Sequence, residues 1–168
     1  MKIEIKNIKL NITFSQETFN FIADVFVDGV KTACAENGGF GGNTCYSPYP
    51  SKRDLLIKAE NYLKTLPPTY YKELDFKMDS NMEHFIDNAI SVYAEEKEKA
   101  KFAKKLQKDM TKSLCYGNES AYRTCTWKNY TLEQLLNTPV GREVIKKKVA
   151  EIALKGEKVL NTNLGELI

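Results

Sequence analysis

The sequence predicts an α+β fold: an N-terminal antiparallel three-stranded meander and a later β-hairpin, packed with three to four helices of which one is long and Lys/Glu-rich. Three observations carry that expectation. Much of the first 35 residues alternates apolar and polar with a period of two; residues 51 to 110 switch largely to helical spacing; and "KSLCYGNESAYRTCTW", 112 to 127, alternates again around a turn. At 168 residues, 42% of them hydrophobic and 28% charged, the chain has the length and make-up of one globular domain. The expected division is a single α+β domain over 1–168: β-rich 1–50, helical 51–110, a hairpin 111–128, helical 131–156 and an irregular tail 157–168.

In the first strand Ile8, Leu10, Ile12 and Phe14 alternate, while Ile3 and Ile5 sit one residue out of phase. A slip of one flips every side chain to the other face, so a bulge near Lys6-Asn7 is expected. Phe19, Phe21, Ala23, Val25 and Val27 form one face of a second strand. Asp28-Gly29 then reads as a type I′ turn, which needs positive φ at both central residues, and Val30 to Ala35 as the third strand.

Further on, Ser51 reads as an N-cap, with Asp54 in the first turn of a helix. Leu55, Leu56, Ala59, Tyr62, Leu63 and Leu66 mark its apolar face until Pro67-Pro68 stops it, and 69–78 reads as irregular. Asp79 or Ser80 is expected to cap the long helix, in which Met82, Phe85, Ile86, Ala89, Ile90 and Tyr93 give way after Glu95 to a Glu/Lys-dense stretch with one thin apolar stripe. The second hairpin turns at Gly117-Asn118-Glu119-Ser120. Thr131 and Gln134 form a capping box, and Pro139 restarts the helix at its first position.

Histidine excludes the most chemistry. His84 is the only one, so no site needing several imidazoles is built by this chain, and no G-x-S-x-G accompanies it. No catalytic residue, metal or cofactor is expected; a carboxylate- or Lys-based activity is the enzymatic alternative. Cys34, Cys45, Cys115 and Cys125 lack any C-x-x-C spacing and read as buried core thiols, with a four-thiolate metal site or disulfides as the alternatives. No apolar run reaches the roughly 18 residues of a membrane span, and "MKIEIKNIKL" lacks an apolar signal-peptide core, so a cytoplasmic protein is expected.

Two stretches are candidate binding elements. "ENGGFGGNTCYSPYP", 36–50, is neither a Walker loop nor a dinucleotide fingerprint. Its glycine pairs let successive amides converge on an anion, which makes Gly38, Gly39, Phe40, Gly41, Gly42, Asn43, Tyr46 and Arg53 a candidate ligand set. Against this stands a plain strand-to-helix crossing or a bulged hairpin, with the aromatics in the core. The other stretch is charge: residues 97 to 158 hold 15 Lys+Arg against 7 Asp+Glu. Lys101, Lys104, Lys105 and Lys108, with Arg142, Lys146 and Lys147, form a candidate basic partner face, and a solvated helix surface is the alternative.

"FNFIADVFVDGVKTACAENGGFGGNT" and the late "GEKVLNTNL" resemble small uncharacterised proteins encoded by phages and mobile elements of gut-type bacteria. The resemblance implies a compact accessory protein that acts by binding, for example by blocking a host defence complex or sequestering a nucleotide signal. The expected function is a non-enzymatic binding protein that engages a host nucleic-acid-handling complex through the basic face. The alternative is a module that binds a phosphorylated or nucleotide ligand in loop 38–46. A host protein or nucleic-acid complex is the expected partner, and a homo-oligomer is open.

Overall fold

The protein, as a computed structural model, is an α+β fold, and residues 1–72 and 75–165 are described. The chain divides into two compact units, residues 1–96 and 97–168.

Unit 1 is built on an antiparallel sheet of β1 (Ile3–Leu10), β2 (Asn20–Val27), β3 (Val30–Gly38) and β4 (Cys45–Pro48), in that spatial order. The expected bulge is present: the β1–β2 register shifts between Lys6 and Lys9, and Asn7 takes φ 54°. Asp28 and Gly29, at φ 48° and 80°, make the turn that the type I′ signal demands. Phe21, Ala23, Val25 and Val27 of β2, with Ala33 and Ala35 of β3, are buried on one face. Leu56, Ala59 and Leu63 of α1 (Arg53–Lys64) and Met82, Ile86 and Ile90 of α2 (Met82–Met110) complete that core.

Several expectations are corrected here. The sheet has four strands, because β3 runs on to Gly38 and β4 pairs back from Glu36↔Cys45 to Ala33↔Pro48. Ending in Pro, β4 carries no clear alternation of its own and takes its extended form from β3. The glycine-rich stretch is thus the bend of a β-hairpin. β1 stops at Leu10; Ile12–Phe14 form a short 3-10 turn and Phe14 is exposed. Ser51 does not cap α1: at φ 58° its hydroxyl donates to the Pro50 carbonyl (2.7 Å), and Lys52 takes the cap position without a side-chain bond. At the start of α2, Asn81 accepts from the His84 amide (2.8 Å), whereas Ser80 donates to the Pro67 carbonyl (3.1 Å). Within 69–78, β5 (Thr69–Tyr71) and β6 (Phe76–Met78) pair as a small hairpin.

The sheet's other face carries a buried charge. Asp24, 8% exposed, accepts from Asn7 Nδ2 (2.8 Å) and Tyr49 OH (2.8 Å), and Lys31 Nζ lies 2.9 Å away. Burial pushes its pKa up, but hydrogen bonds from Asn7, Lys31 and Tyr49 outweigh that and hold it below its ordinary 3.8. A depressed carboxyl stabilises the fold fully above the unfolded value and loses that contribution as pH falls through the folded one. Asp24→Asn is therefore expected to cost about 1–2 kcal/mol at pH 7. The gap to the native chain should narrow below about pH 4. Urea titrations from pH 7 to pH 3 check it, and a constant gap contradicts it.

Unit 2 contains the C-terminal part of α2 and a second sheet, ordered β8 (Tyr122–Cys125), β7 (Leu114–Gly117), β9 (Lys158–Val159). The tail is thus not irregular throughout: β9 pairs with Tyr116 and Gly117. Leu114, Leu132 and Leu135 of α3 (Leu132–Leu136), Ile145 and Ile152 of α4 (Pro139–Leu154), and Leu164 form its core. The capping box at Thr131 and Gln134 is complete, and Pro139 starts α4 behind the Thr138 cap. Phe102 meets the Tyr122 ring edge-on at 5.3 Å, and Tyr122 OH donates to Asp109 (2.7 Å). Of the four cysteines only Cys115 is buried; Cys34 and Cys125 are half-buried and Cys45 is exposed, which corrects the reading of all four as core thiols.

Candidate functional site

The glycine-rich bend is locked to the turn that precedes β2. Asn37, the last buried side chain of β3, organises both. Its Oδ1 accepts from the Gly39 amide (2.8 Å) and Thr18 Oγ1 (2.9 Å), while its Nδ2 donates to the Gly42 carbonyl (2.8 Å) and Thr44 Oγ1 (3.2 Å). Across the gap, the Gln16 and Glu17 amides donate to the Gly39 carbonyl (2.9 and 3.2 Å), and the Gly41 amide donates to Thr18 Oγ1 (3.3 Å). Gly39, at φ 87°, sits so close that a Cβ would overlap the Phe14 carbonyl oxygen and lie 2.9 Å from Asn20 Cβ. A Cβ at Gly41 would overlap the Glu17 carboxylate. At Gly39 a glycine is required because two backbones meet.

From α2, Glu83 accepts the Thr44 amide (3.0 Å) and Asp87 accepts the Thr44 hydroxyl (2.5 Å). Three of the bend's amides, at Gly39, Gly41 and Thr44, therefore already have protein acceptors, and Glu17, Glu83 and Asp87 stand around it. Beside it lies a cavity of about 210 Å³, with Phe19, Phe21 and Ile90 as apolar walls and Thr18, Asn37 and Asp87 among its polar ones.

Of the sequence-derived ligand set, Gly38, Gly39, Phe40, Gly41, Gly42 and Asn43 share this bend. Phe40 points outward, 66% exposed. Tyr46 lies on β4, packs on the core and donates to Glu60 of α1 (2.9 Å); burial, with that carboxylate, pushes its phenol up to about 12. Arg53 is exposed at the start of α1. Asn37, Thr18, Glu83 and Asp87 were missed by sequence reasoning. Only the Asn ahead of the first glycine pair carried a signal, since Asn side chains commonly bond backbone two residues on.

In unit 2, Lys101, Lys104, Lys105 and Lys108 are exposed and fall within roughly 100° of one another around a helix of 3.6 residues per turn. Lys101 lies 3.7 Å from Glu98, and Lys105 lies 6.0 Å from the Tyr122 ring centre. On α4, Arg142 and Lys146 line a groove of about 470 Å³ with Asn137 and Asn163, and Lys147 is exposed. Arg142 Nε donates to the Leu136 carbonyl (2.6 Å), and Lys146 lies 3.3 Å from Glu143. The charge asymmetry follows the structural division. Unit 2 holds 15 Lys+Arg against 8 Asp+Glu, and unit 1 holds 10 against 14.

Among the described residues, no group of three or more His, Cys, Asp and Glu is placed to hold a metal ion, and no helix is long and apolar enough to cross a membrane. Compared with protein-family models, with curated proteins and with solved structures, the chain matches none.

Proposed function

We propose that this protein is a non-enzymatic binding factor, an accessory protein of a phage or mobile element, that engages a host nucleic-acid-handling complex through the basic surface of unit 2. The supporting observation is the coincidence of charge with architecture: the lysine stripe of α2 and the Arg142–Lys146–Lys147 side of α4 belong to one compact unit that carries a formal excess of seven positive charges. Contacts from exposed lysines to phosphates need only positive charge in register, and they release condensed counterions. A nucleotide held in the 38–46 bend is the less favoured reading, since Glu17, Glu83 and Asp87 surround that bend with negative charge.

The test is the salt dependence of binding to a generic duplex and a generic single-stranded oligonucleotide. Affinity should fall steeply with salt, and Lys101→Glu/Lys104→Glu/Lys105→Glu should abolish binding at physiological salt. Removal of one lysine–phosphate pair lowers the log–log salt slope by about 0.9 on duplex DNA. Binding that the triple change leaves untouched overturns the proposal.

A further inference from the structure

Two exposed apolar faces with opposite charge stand on this chain. On unit 1, Phe14 is 57% and Phe40 66% exposed, and both project from the turns that Asn37, Gly39 and Thr18 lock together. Ile22, 50% exposed, lies on the solvent side of β2, between Lys9 and Glu36 in the strand register. Glu17, against Gly41, and exposed Glu36 outnumber exposed Lys9, so the surroundings carry a small net negative charge. Lys31, the only cation between residues 10 and 50, is spent on Asp24.

On unit 2, α4 buries Ile145 and Ile152 and turns another stripe outward: Val140 (76% exposed), Val144 (39%) and Leu154 (88%), with Lys147 among them. Glu151 in that stripe is already bridged by Lys148 (2.8 Å) and Lys155 (3.3 Å), so the stripe's net charge is positive.

A single exposed apolar residue is ordinary on a protein surface. A pair of phenylalanines more than half exposed on hydrogen-bonded turns, matched by an apolar stripe of opposite charge on the same chain, is not. We infer that this protein binds a second copy of itself head to tail, the Phe14–Phe40 face of one copy seating on the Val140–Leu154 face of the next. Pairing like with like sets Glu17 and Glu36 against themselves, or Lys147 and Lys148 against themselves; pairing unlike faces matches acid to base and apolar to apolar. Anchors already held by their turns lose little freedom on docking. An unlike contact leaves one face of each kind open at the ends, so association continues into a chain or closes into a ring.

Light scattering and sedimentation of the purified full chain test this. The mass should rise with concentration, and Phe14→Ser/Phe40→Ser and Val140→Ser/Leu154→Ser should each weaken association roughly tenfold or more. Mixed, those two variants retain one good face each and should form a one-to-one dimer that grows no further. Glu17→Lys/Glu36→Lys touches no core residue and guards against misfolding of the Phe variants; it should associate poorly alone and recover when mixed with Lys147→Glu/Lys148→Glu. A monomeric mass at every concentration, association that both Ser variants leave intact, or mixtures that restore nothing would each overturn the inference. The Phe14→Ser/Phe40→Ser variant leaves every Lys and Arg of unit 2 in place, so oligonucleotide binding by that variant reads the proposed function separately.

Discussion

Gly39→Val is expected to destabilise unit 1 by about 3 kcal/mol or more, while Gly42→Ala changes it by less than about 0.5 kcal/mol. The contrast isolates geometry from glycine content, since both residues belong to the same bend. Gly39 has φ 87°, a left-handed conformation that costs an L-residue about 1–2 kcal/mol and a β-branched one the most. Its Cβ would also overlap the Phe14 carbonyl and press on Asn20 Cβ, neither of which lies at the end of a flexible side chain. Relief means moving the 12–18 turn away, which breaks the bonds from Gln16 and Glu17 to the Gly39 carbonyl. Gly42 has ordinary φ and nothing within 4 Å of a Cβ. Urea midpoints that coincide for the two variants would rule out the close approach of the two turns. The same displacement moves Phe14 and Phe40, so Gly39→Val should also weaken self-association while leaving oligonucleotide binding by the α2 lysines intact.

What could be read from the sequence was what local chemistry decides. The Asp28-Gly29 turn, the bulge at Lys6-Asn7, the Thr131–Gln134 box and the Pro139 start each depend on neighbours a few residues away, and each is where the pattern put it. Elements defined by distant partners were not legible. Cys45–Pro48 and Lys158–Val159 are strands because β3 and β7 offer them open edges, and their own residues alternate too briefly to show it. The candidate site shows the same limit. Four glycines announced a backbone under steric demand, but not whether the demand came from an anion or from the Phe14 turn. Only the register that brings Gln16 and Glu17 to Gly39 shows the turn that Gly39 meets. The basic stripe of α2 was legible because helical spacing alone places Lys101, Lys104, Lys105 and Lys108 together.

Asn161→Ala should destabilise unit 2 by about 3 kcal/mol or more, a shift of roughly 10 °C or more for a unit of this size. Asn161, 5% exposed, is a side-chain bracket between the tail and the end of α2. Its Oδ1 accepts from the Cys115 amide (2.5 Å), and its Nδ2 donates to the carbonyls of Ser113 (3.1 Å) and Met110 (3.3 Å). Truncation strands a buried donor and a buried acceptor together, and each unsatisfied group costs about 1–3 kcal/mol. It also frees the segment that carries Leu160, whose amide bonds the Cys115 carbonyl (2.9 Å), and Leu164, which belongs to the unit's core. Asn161→Asp distinguishes bracket from mere bulk. The carboxylate still accepts from Cys115 but faces the Ser113 and Met110 carbonyls without a donor, so its pKa rises and the loss should shrink as pH falls and the acid regains a proton. Asn163→Ala, at an exposed position, loses the bond to the Met110 carbonyl (3.1 Å) and the one its Oδ1 accepts from Asn161 Nδ2 (3.1 Å), but leaves Asn161 its backbone partners, and should cost less than about 1 kcal/mol. Equal melting of the Asn161 and Asn163 variants would mean that the tail is not held by this bracket, and the pairing of β9 with β7 would then need another cause.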